Sequence, residues 1–302
     1  MCEGLVESLW RNRTFPLPAL EDAEGDRLPA GMEVIDAHVH LFPPRVYEAI
    51  WRWFEAHAWP IRYRLYAEET IQFLLERGVQ RIVGLHYSHV PDMARTLNRY
   101  AAELAAAHPQ VWALGTVLPG EPEAEAIVRE ALGPLGLRGI KLHCHVQKVT
   151  ADDPRLDPIY RLCAEAGRPV VIHSGREPAS EAYGFEARRL LSVHAMRRVL
   201  ERHPRLKVVV PHLGADEIEA YADLLGEFEG LWLDTTMMLA DYFPQRPAAE
   251  LLQRWGHRML YGSDFPNLPY AWDRELKRLN SLPLETATRS ALLAGNARKL
   301  FG

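Results

Sequence analysis

Short apolar runs rich in β-branched residues recur along the chain, and stretches of helical character separate them. Eight runs begin near residues 33, 81, 111, 138, 169, 207, 231 and 259, and their near-continuous apolar character is typical of strands buried on both faces. Between them, apolar residues recur at helical spacing in 67–78, 92–109 and 156–169, and Gly78 is a typical helix end. This alternation predicts an α/β fold, specifically a (β/α)8 TIM barrel.

A doubly wound open sheet is the alternative that the same alternation allows. A dinucleotide-binding sheet would need a glycine-rich turn after its first strand, and residues 41–44 contain no glycine. Residues 1–32 precede the first run and include an acidic, loop-like stretch. We therefore predict an N-terminal extension at 1–32, followed by a single barrel domain at 33–302.

The first strand–helix connection, residues 41–66, is unusually long and aromatic. One interpretation is a satellite helix that packs on the barrel rim. The other is a lid over the active site, because the loops that follow barrel strands form the catalytic face. The two interpretations are compatible, and both concern the same side chains: Trp51, Trp53, Phe54, Trp59, Tyr63 and Tyr66.

Composition narrows the classes of partner. The chain has 302 residues, a formal net charge of −5 and no basic stripe with interleaved aromatics, so we expect no nucleic-acid partner. No apolar run is long enough to span a bilayer, and the N-terminus lacks the apolar core of a secretory signal. We expect a cytoplasmic protein, with a homodimer allowed. The number of cysteines is odd, and their spacing matches no motif, which is typical of reduced thiols. They are Cys2, Cys144 and Cys163.

Two histidines, His38 and His40, end the first apolar run one residue apart. Residues i and i+2 of a strand share a face, so both imidazoles are expected to point to the barrel axis. The same alternation would turn Ile35, Ala37 and Val39 towards the helices. Alone this pair is weak evidence, because a core histidine hydrogen-bonded to a neighbour is commoner than a metal ligand.

Three other strands also end in an ionisable residue: His173, His212 and Asp264. All five groups would lie at one level around the axis, at the carboxyl ends of the strands. Burying them together is unfavourable unless something compensates. A divalent cation is the simplest compensation, since imidazole nitrogens and carboxylate oxygens are its natural ligands.

These residues carry a resemblance to a known family. Four strand ends and the last helix resemble the amidohydrolase superfamily, specifically its amidohydrolase-related family of TIM-barrel metal-dependent hydrolases and decarboxylases. The resemblance covers residues 33–302 and does not specify a substrate. The segments that carry it are "DAHVH", "IHSG", "PHLG", "YGSDFP" and "LAGNARKLFG".

The resemblance implies that His38, His40, His173 and Asp264 hold one divalent metal ion. Zinc is the preferred ion, with Mn2+, Ni2+ and Fe2+ as alternatives. His212 corresponds to the residue that faces the metal-bound water or the substrate oxygen. Such a ligand set leaves an open position for water, whose pKa falls to roughly 7 on zinc. His212 and Asp264 would then act as general base and acid.

The fourth run departs from the pattern common in the family. It contains Lys141, His143 and His145 on one face, where family members often have one histidine followed by proline. Lys141 could be carboxylated and bridge a second metal, which we do not favour. His143 and His145 could line the substrate pocket. Alternatively, His143 is a hydrogen-bonded neighbour of the site and His145 begins the loop. Cys144 has the opposite parity and does not resemble a nucleophile.

Arg176 follows the fifth strand, and its guanidinium fork could clamp a substrate carboxylate. An ion pair at the rim with Glu177 or Glu181 is an equally good interpretation. Roles in the pocket and purely structural roles are equally open for four further residues near strand ends: His86, His89, Asp234 and Thr236.

The favoured reaction is hydrolysis, in which metal-activated water attacks the carbonyl of an ester, lactone or amide. The alternative is non-oxidative decarboxylation of an aromatic or unsaturated carboxylic acid, which the same ligands can support. In either case the aromatic segment 41–66 and Arg176 suit a small-molecule substrate that is anionic or aromatic. A barrel with a degenerate site, serving as a binding protein, is disfavoured because the whole ligand set is present.

Overall fold

The computed structural model describes residues 15–178 and 180–302. Its strands are all parallel and follow one another in chain order. The eight strands are β1 (Ile35–His40), β2 (Arg81–Leu85), β3 in two pieces (Val111–Ala113 and Gly115–Thr116), β4 (Ile140–His143), β5 (Val170–His173), β6 (Val208–Val210), β7 (Leu231–Asp234) and β8 (Met259–Leu260).

The strands form a closed ring. The first piece of β3 pairs with β2 and the second piece with β4, so Leu114 only interrupts one continuous strand. The ring closes between the segment after β8 and β1, where Ala37 N donates to Tyr261 O at 2.9 Å and Val39 bridges Phe265. The predicted (β/α)8 barrel is confirmed.

Helices follow the strands, and the predicted ones are present. The helix expected before Gly78 begins after Tyr66, whose backbone N–H donates to Glu69 at 2.8 Å as part of a capping box. The helices are α1 (Pro44–His57), α2 (Ala67–Glu76), α3 (Ala94–Ala107), α4 (Ala124–Leu132), α5 (Cys144–Gln147), α6 (Asp157–Glu165), α7 (Ala187–Leu190), α8 (Val193–Arg202), α9 (Ile218–Glu227), α10 (Ala249–Trp255), α11 (Arg274–Ser281), α12 (Thr286–Ser290) and α13 (Asn296–Phe301).

The core has two parts. Outward-facing strand residues such as Val170 and Ile172 pack with the surrounding helices in one large apolar cluster. A smaller cluster combines inward-facing strand residues with the C-terminal residues of α13. In it, Trp112 and Trp232 pack with Leu300 and Phe301. The last helix therefore closes one end of the barrel interior with apolar side chains.

A bulge in β1 corrects the expected side-chain alternation. Pairing with β2 shifts register between Asp36 and Val39, which is the signature of one extra residue in the strand. Ile35 and Ala37 consequently belong to the inner cluster, and only Val39 joins the outer one. His40 still points inward, because the shift restores the alternation at the end of the strand.

The described part of the N-terminal extension lies against the barrel loops. Leu17 N donates to Ala58 O at 2.7 Å, and Leu20 N donates to Pro269 O at 2.8 Å. Cys2 lies outside the described residues, whereas Cys144 and Cys163 are buried and free. Within the described ranges, no helix has both the length and the apolar character to cross a membrane.

Candidate active site

Three of the predicted ligands form a compact cluster. One ligand atom from each of His38, His40 and Asp264 lies within 4.8 Å of the other two, and all three residues are buried. His40 Nε2 lies 2.9 Å from Asp264 Oδ1, and His38 Nε2 lies 3.4 Å from the same oxygen. The closed ring brings β1 and the loop after β8 together, and thus joins residues that are 224 positions apart in the chain.

His173 and His212 form a second pair beside this cluster. His173 Nδ1 lies 3.2 Å from His212 Nε2. The remaining nitrogens face backbone carbonyls: His173 Nε2 lies 2.9 Å from Glu177 O, and His212 Nδ1 lies 3.0 Å from Thr236 O. A carbonyl only accepts hydrogen bonds, so these two nitrogens carry the protons of the neutral rings.

The resulting tautomers aim imidazole lone pairs at one space. His173 Nδ1 and His212 Nε2 face each other without a proton between them when both rings are neutral. His38 Nδ1 donates to Asp234, so its Nε2 lone pair faces the carboxylate of Asp264. Converging lone pairs and a carboxylate repel one another, and a cation relieves that repulsion. The donor set therefore fits a divalent metal ion.

The cluster of three does not include His173. His173 lines the same cavity as the cluster, but its Nδ1 lies 3.2 Å from His212 Nε2 and is not among the three clustered ligand atoms. Its role as a fourth ligand, and the division of roles between His173 and His212, stay predictions.

Asp234 orients both groups of histidines, a role that the sequence left open. Its Oδ2 accepts from His38 Nδ1 at 2.9 Å, and its Oδ1 accepts from the backbone N–H groups of His212 and Thr236 at 3.0 and 3.1 Å. Burial alone would raise the pKa of Asp234, but the charge and hydrogen bond of His38 lower it to about 2. An ionised Asp234 therefore holds a β1 ligand and the β6 loop together.

The loop after β6 has an unusual backbone that places His212. His212, Leu213, Gly214 and Ala215 all have positive φ angles, of 58°, 51°, 80° and 59°. A Cβ atom at Gly214 would lie 2.0 Å from the ring of Tyr221, so this position requires glycine. The loop turns His212 back over the barrel mouth, where a regular helix would carry it away.

Two of the three residues singled out in the fourth run, Lys141 and His143, line the cavity. Lys141 lines the cavity, and its buried Nζ has no hydrogen-bond partner among the described residues. Burial lowers the pKa of Lys141 to about 8, which Asp234 and Asp264 partly oppose. His143 lines the cavity and stacks on His173, with ring centroids 4.2 Å apart.

His145 lies behind the wall of the cavity. Its Nε2 donates to Gly175 O at 2.8 Å, and the residue is not among those that line the cavity. Pocket lining thus applies to His143 and Lys141, while the predicted substrate contact of His145 stays a prediction that this position does not favour.

Arg176 is engaged away from the cavity. Its Nε donates to Asp216 Oδ1 at 3.0 Å and lies 3.7 Å from Glu217 Oε2. An ion pair at the rim, for which the sequence suggests an acid such as Glu177 or Glu181, is therefore present with Asp216 and Glu217. The clamp on a substrate carboxylate stays a prediction, and in this conformation the guanidinium does not line the cavity.

The predicted aromatic lid is present. Phe54, at the end of α1, and Trp59, in the loop that follows, line the cavity above His38 and His40. Tyr47 and Trp51 pack beneath it, with ring centroids 5.6 Å apart. The long first connection therefore combines both interpretations, since one part packs on the rim and another faces the site.

Several cavity residues were not singled out from the sequence. They come from the loops after β2, β5, β7 and β8, and loop residues show no periodicity that would mark them. They include aromatic, thioether and amide side chains: Tyr87, Tyr183, Met237, Met238, Phe243 and Asn267.

An amidohydrolase family model matches residues 35–302. The chain belongs to the amidohydrolase family. The match spans all eight strands and the five predicted site residues at their ends, and it confirms the resemblance seen in the sequence. Membership of this enzyme family also agrees with the cluster of metal-ligating groups.

Known relatives give further detail. The 2-amino-3-carboxymuconate-6-semialdehyde decarboxylase of Dictyostelium discoideum is 31% identical over 137 residues, which cover 41% of this chain and 38% of the relative. An uncharacterised TIM-barrel protein of Bordetella bronchiseptica has a TM-score of 0.68 at 23% identity, covering 89% of this chain and 98% of the other. A 5-carboxyvanillate decarboxylase of Novosphingobium aromaticivorans, solved with bound manganese, has a TM-score of 0.62 at 19% identity, covering 90% and 97%.

These comparisons favour the expected alternative, decarboxylation, over the predicted hydrolysis. The solved structures confirm the barrel fold, and the relatives whose reactions are named are decarboxylases. The curated alignment spans only about two fifths of either chain, so it does not carry an activity across by itself. Between the two reactions expected from the sequence, decarboxylation is the better supported.

Proposed function

We propose that this protein is a metal-dependent, non-oxidative decarboxylase of an aromatic or unsaturated carboxylic acid. The proposal goes beyond family membership, because the family includes both hydrolases and decarboxylases. The named relatives favour it, and one feature of the cavity favours it independently of them.

That feature is Lys141. Its ammonium group is buried at 0% exposure, lines the cavity and lacks a hydrogen-bond partner in the described part of the chain. A buried cation is unfavourable unless an anion offsets it. A carboxylate substrate supplies such an anion, whereas the carbonyl of an ester, lactone or amide is neutral. The charge of Lys141 therefore favours the substrate of a decarboxylase.

The apolar walls suit the remainder of such a substrate. Phe54, Trp59, Tyr87, Tyr183 and Phe243 line the cavity. Flat aromatic faces pack well against a planar ring or a conjugated chain. They also exclude water, which strengthens every electrostatic interaction inside.

His38, His40 and Asp264 would hold the metal, with His173 as the proposed fourth ligand. A divalent ion bound there supplies positive charge that orients and polarises a substrate oxygen. Asp264 is suited to this role because its pKa is low: burial would raise it, but the hydrogen bond from His40 and the nearby imidazoles hold it well below its usual range. Zinc and manganese are both compatible with these ligands.

His212 is positioned to handle the proton. In decarboxylation the electrons of the broken carbon–carbon bond stay on the substrate carbon, and one proton replaces the carbon dioxide that leaves. Because Thr236 O fixes the proton of His212 on Nδ1, Nε2 is the nitrogen that faces the cavity. We assign to Nε2 the proton that is taken from solvent and delivered to the carbon.

The experiment that tests the proposal measures carbon dioxide. The metal-loaded protein is incubated with a panel of aromatic and unsaturated carboxylic acids, and gas release is compared with that of Asp264→Asn. We expect release from at least one acid, with a loss of more than about 10³-fold in the variant.

A parallel panel of esters, lactones and amides provides the opposing outcome. If the protein cleaves any of these compounds and releases no carbon dioxide from the acids, the proposal is wrong and the protein is a hydrolase. Chelation followed by metal return distinguishes a metal-dependent reaction from a contaminant.

A further inference from the structure

We infer that Asn267 is a specificity-determining residue, whose side-chain amide recognises a hydroxyl or amino substituent on the carboxylic acid. This inference rests on the proposed function, since it names the substrate class of that site more closely. The geometry that carries it lies in the loop after β8, opposite the charged wall that β4 provides.

The side-chain oxygen of Asn267, Oδ1, is buried and has no hydrogen-bond partner in the described part of the chain. The residue is 1% exposed and lines the cavity together with His38 and Asp264. Its Oδ1 accepts no hydrogen bond from any residue that the structure describes. Buried polar atoms are normally hydrogen-bonded, so an exception on a residue that lines a ligand cavity points to a partner on the ligand.

The backbone of Asn267 is held on both sides. Trp59 Nε1 donates to Asn267 O at 2.8 Å, and Asn267 N donates to Asp264 O at 3.0 Å. Asp264 N in turn donates to His38 O at 2.9 Å. These bonds fix the Asn267 side chain relative to the proposed metal ligand Asp264 and to Trp59. The amide can therefore bind a substrate group that lies at a set distance from the metal.

The amide and Lys141 act on different parts of the substrate. In a closed ring of eight strands, β4 lies opposite β8. Lys141 belongs to β4 and Asn267 to the loop that follows β8, and both residues line the cavity. Lys141 attracts an anionic group, whereas an amide oxygen accepts a hydrogen bond from a neutral donor. A hydroxyl or amino substituent is the simplest donor that a planar acid can carry.

Discrimination follows from what happens when the substituent is missing. An acid without it leaves the Oδ1 atom buried and unpartnered in the complex, which penalises binding of that acid. Sites that hydrogen-bond a substrate group reject analogues lacking it far more strongly than apolar pockets reject a methylene. We expect about 10- to 100-fold preference for the substituted acid.

The test compares benzoate with its three hydroxy and three amino derivatives on metal-loaded protein. Two quantities are measured for each acid: the dissociation constant by calorimetry, and kcat/KM for carbon dioxide release. The variants are Asn267→Leu, which keeps the size and removes the acceptor, and Asn267→Asp, which keeps an acceptor oxygen. Asn280→Leu is the matched control, since it makes the same substitution at an exposed asparagine of α11 that does not line the cavity.

Wild-type protein and Asn280→Leu should prefer at least one substituted acid. In Asn267→Leu the ratio of substituted to unsubstituted acid should fall to about one, and Asn267→Asp should retain it. An unchanged ratio in folded Asn267→Leu, or equal binding of all seven acids to wild type, would overturn the inference.

The two readouts separate this inference from the proposed function. If no acid releases carbon dioxide but the binding preference exists and disappears in Asn267→Leu, decarboxylation is wrong and the role of Asn267 stands. If carbon dioxide is released with a preference that Asn267→Leu does not alter, decarboxylation stands and the role of Asn267 is wrong.

Discussion

The two ends of the barrel interior are built from the same strands and differ completely in chemistry. At the amino end, Trp112, Trp232, Leu300 and Phe301 fill the space with apolar side chains. At the carboxyl end, strand residues and the loops that follow them supply imidazoles, carboxylates and one ammonium group, which line a cavity. One strand can contribute to both ends, as β7 does with Trp232 and Asp234.

The contrast separates stability from function within one fold. Apolar packing at the amino end satisfies every requirement of a core and needs no ligand. The carboxyl end does not meet these requirements of a core. It buries charged groups, two imidazole lone pairs that face each other, and polar atoms that have no hydrogen-bond partner among the described residues. Such violations are expected where a protein binds metal and substrate. Substitutions at the carboxyl end should therefore lower activity more than stability, and substitutions at the amino end should lower stability more than activity.

The largest effect is expected at Asp264. Asp264→Asn should lower turnover by more than about 10³-fold, because it removes a charged metal ligand from the centre of the cluster. Its thermal stability should fall little, because the substitution conserves volume. Steady-state kinetics and a melting curve on the same sample check this. A melting temperature far below that of wild type would contradict the separation of function and stability between the two ends.

Within the carboxyl end, His173 and His212 are expected to have different roles. His173→Ala should lose bound metal, whereas His212→Ala should keep it and lower turnover by about 10²- to 10⁴-fold. Metal per chain, measured by elemental analysis, is compared with rate for both variants. Equal metal loss in the two would place His212 among the ligands.

Phe301 tests the apolar end. Phe301→Ala should destabilise the protein by about 3–5 kcal/mol, because the side chain is fully buried and its removal leaves a cavity. Activity per folded molecule should stay near that of wild type. Denaturant unfolding and active-site titration measure the two quantities. A selective loss of turnover without a loss of stability would show that the two ends are coupled.

Lys141 should reverse the usual effect of a core substitution. Lys141→Met removes a buried, unpaired charge, so the free energy of unfolding should rise by about 1–4 kcal/mol. The same change should weaken binding of an anionic substrate and reduce kcat/KM by about 10- to 100-fold. Urea unfolding and kinetics on one preparation check both signs. Lower stability with unchanged kcat/KM would mean that Lys141 is structural.

The smallest effect is expected at the outer edge of the amino end. Lys299 Nζ lies 5.4 Å from the ring centre of Trp232, a cation–π contact. Lys299→Ala should reduce stability by about 0.5–1 kcal/mol and leave turnover unchanged. Chemical denaturation resolves a difference of this size. A detectable kinetic effect would indicate that Trp232 transmits changes along β7.

The strands and the ligand set could be predicted because both depend on local patterns. Apolar runs predict all eight strands, and each ligand lies at the end of such a run or within four residues of the strand that it contains. Parallel strands then bring His38 and Asp264 together without any information about long-range contacts. The position of the lid was predictable for the same reason, since it follows His40 directly.

Side-chain engagement could not be predicted in this way. Arg176 follows β5 just as a substrate clamp would, yet Asp216 and Glu217 from another loop bind it. His145 shares parity with Lys141, but β4 ends at His143 and a helical turn begins, which sends His145 behind the wall. Asn267 and Met238 lie in loops, where conformation depends on tertiary contacts rather than on spacing.

The bulge in β1 has a consequence for anyone who transplants this site. Idealised barrel strands alternate strictly, and a designer who copied His38 and His40 onto such a strand would leave out the extra residue between Asp36 and Val39. The apolar inward position of Ala37 and the ligand at His38 would then compete for opposite faces. A graft should therefore carry the irregular segment intact, with its register offset, as one indivisible module.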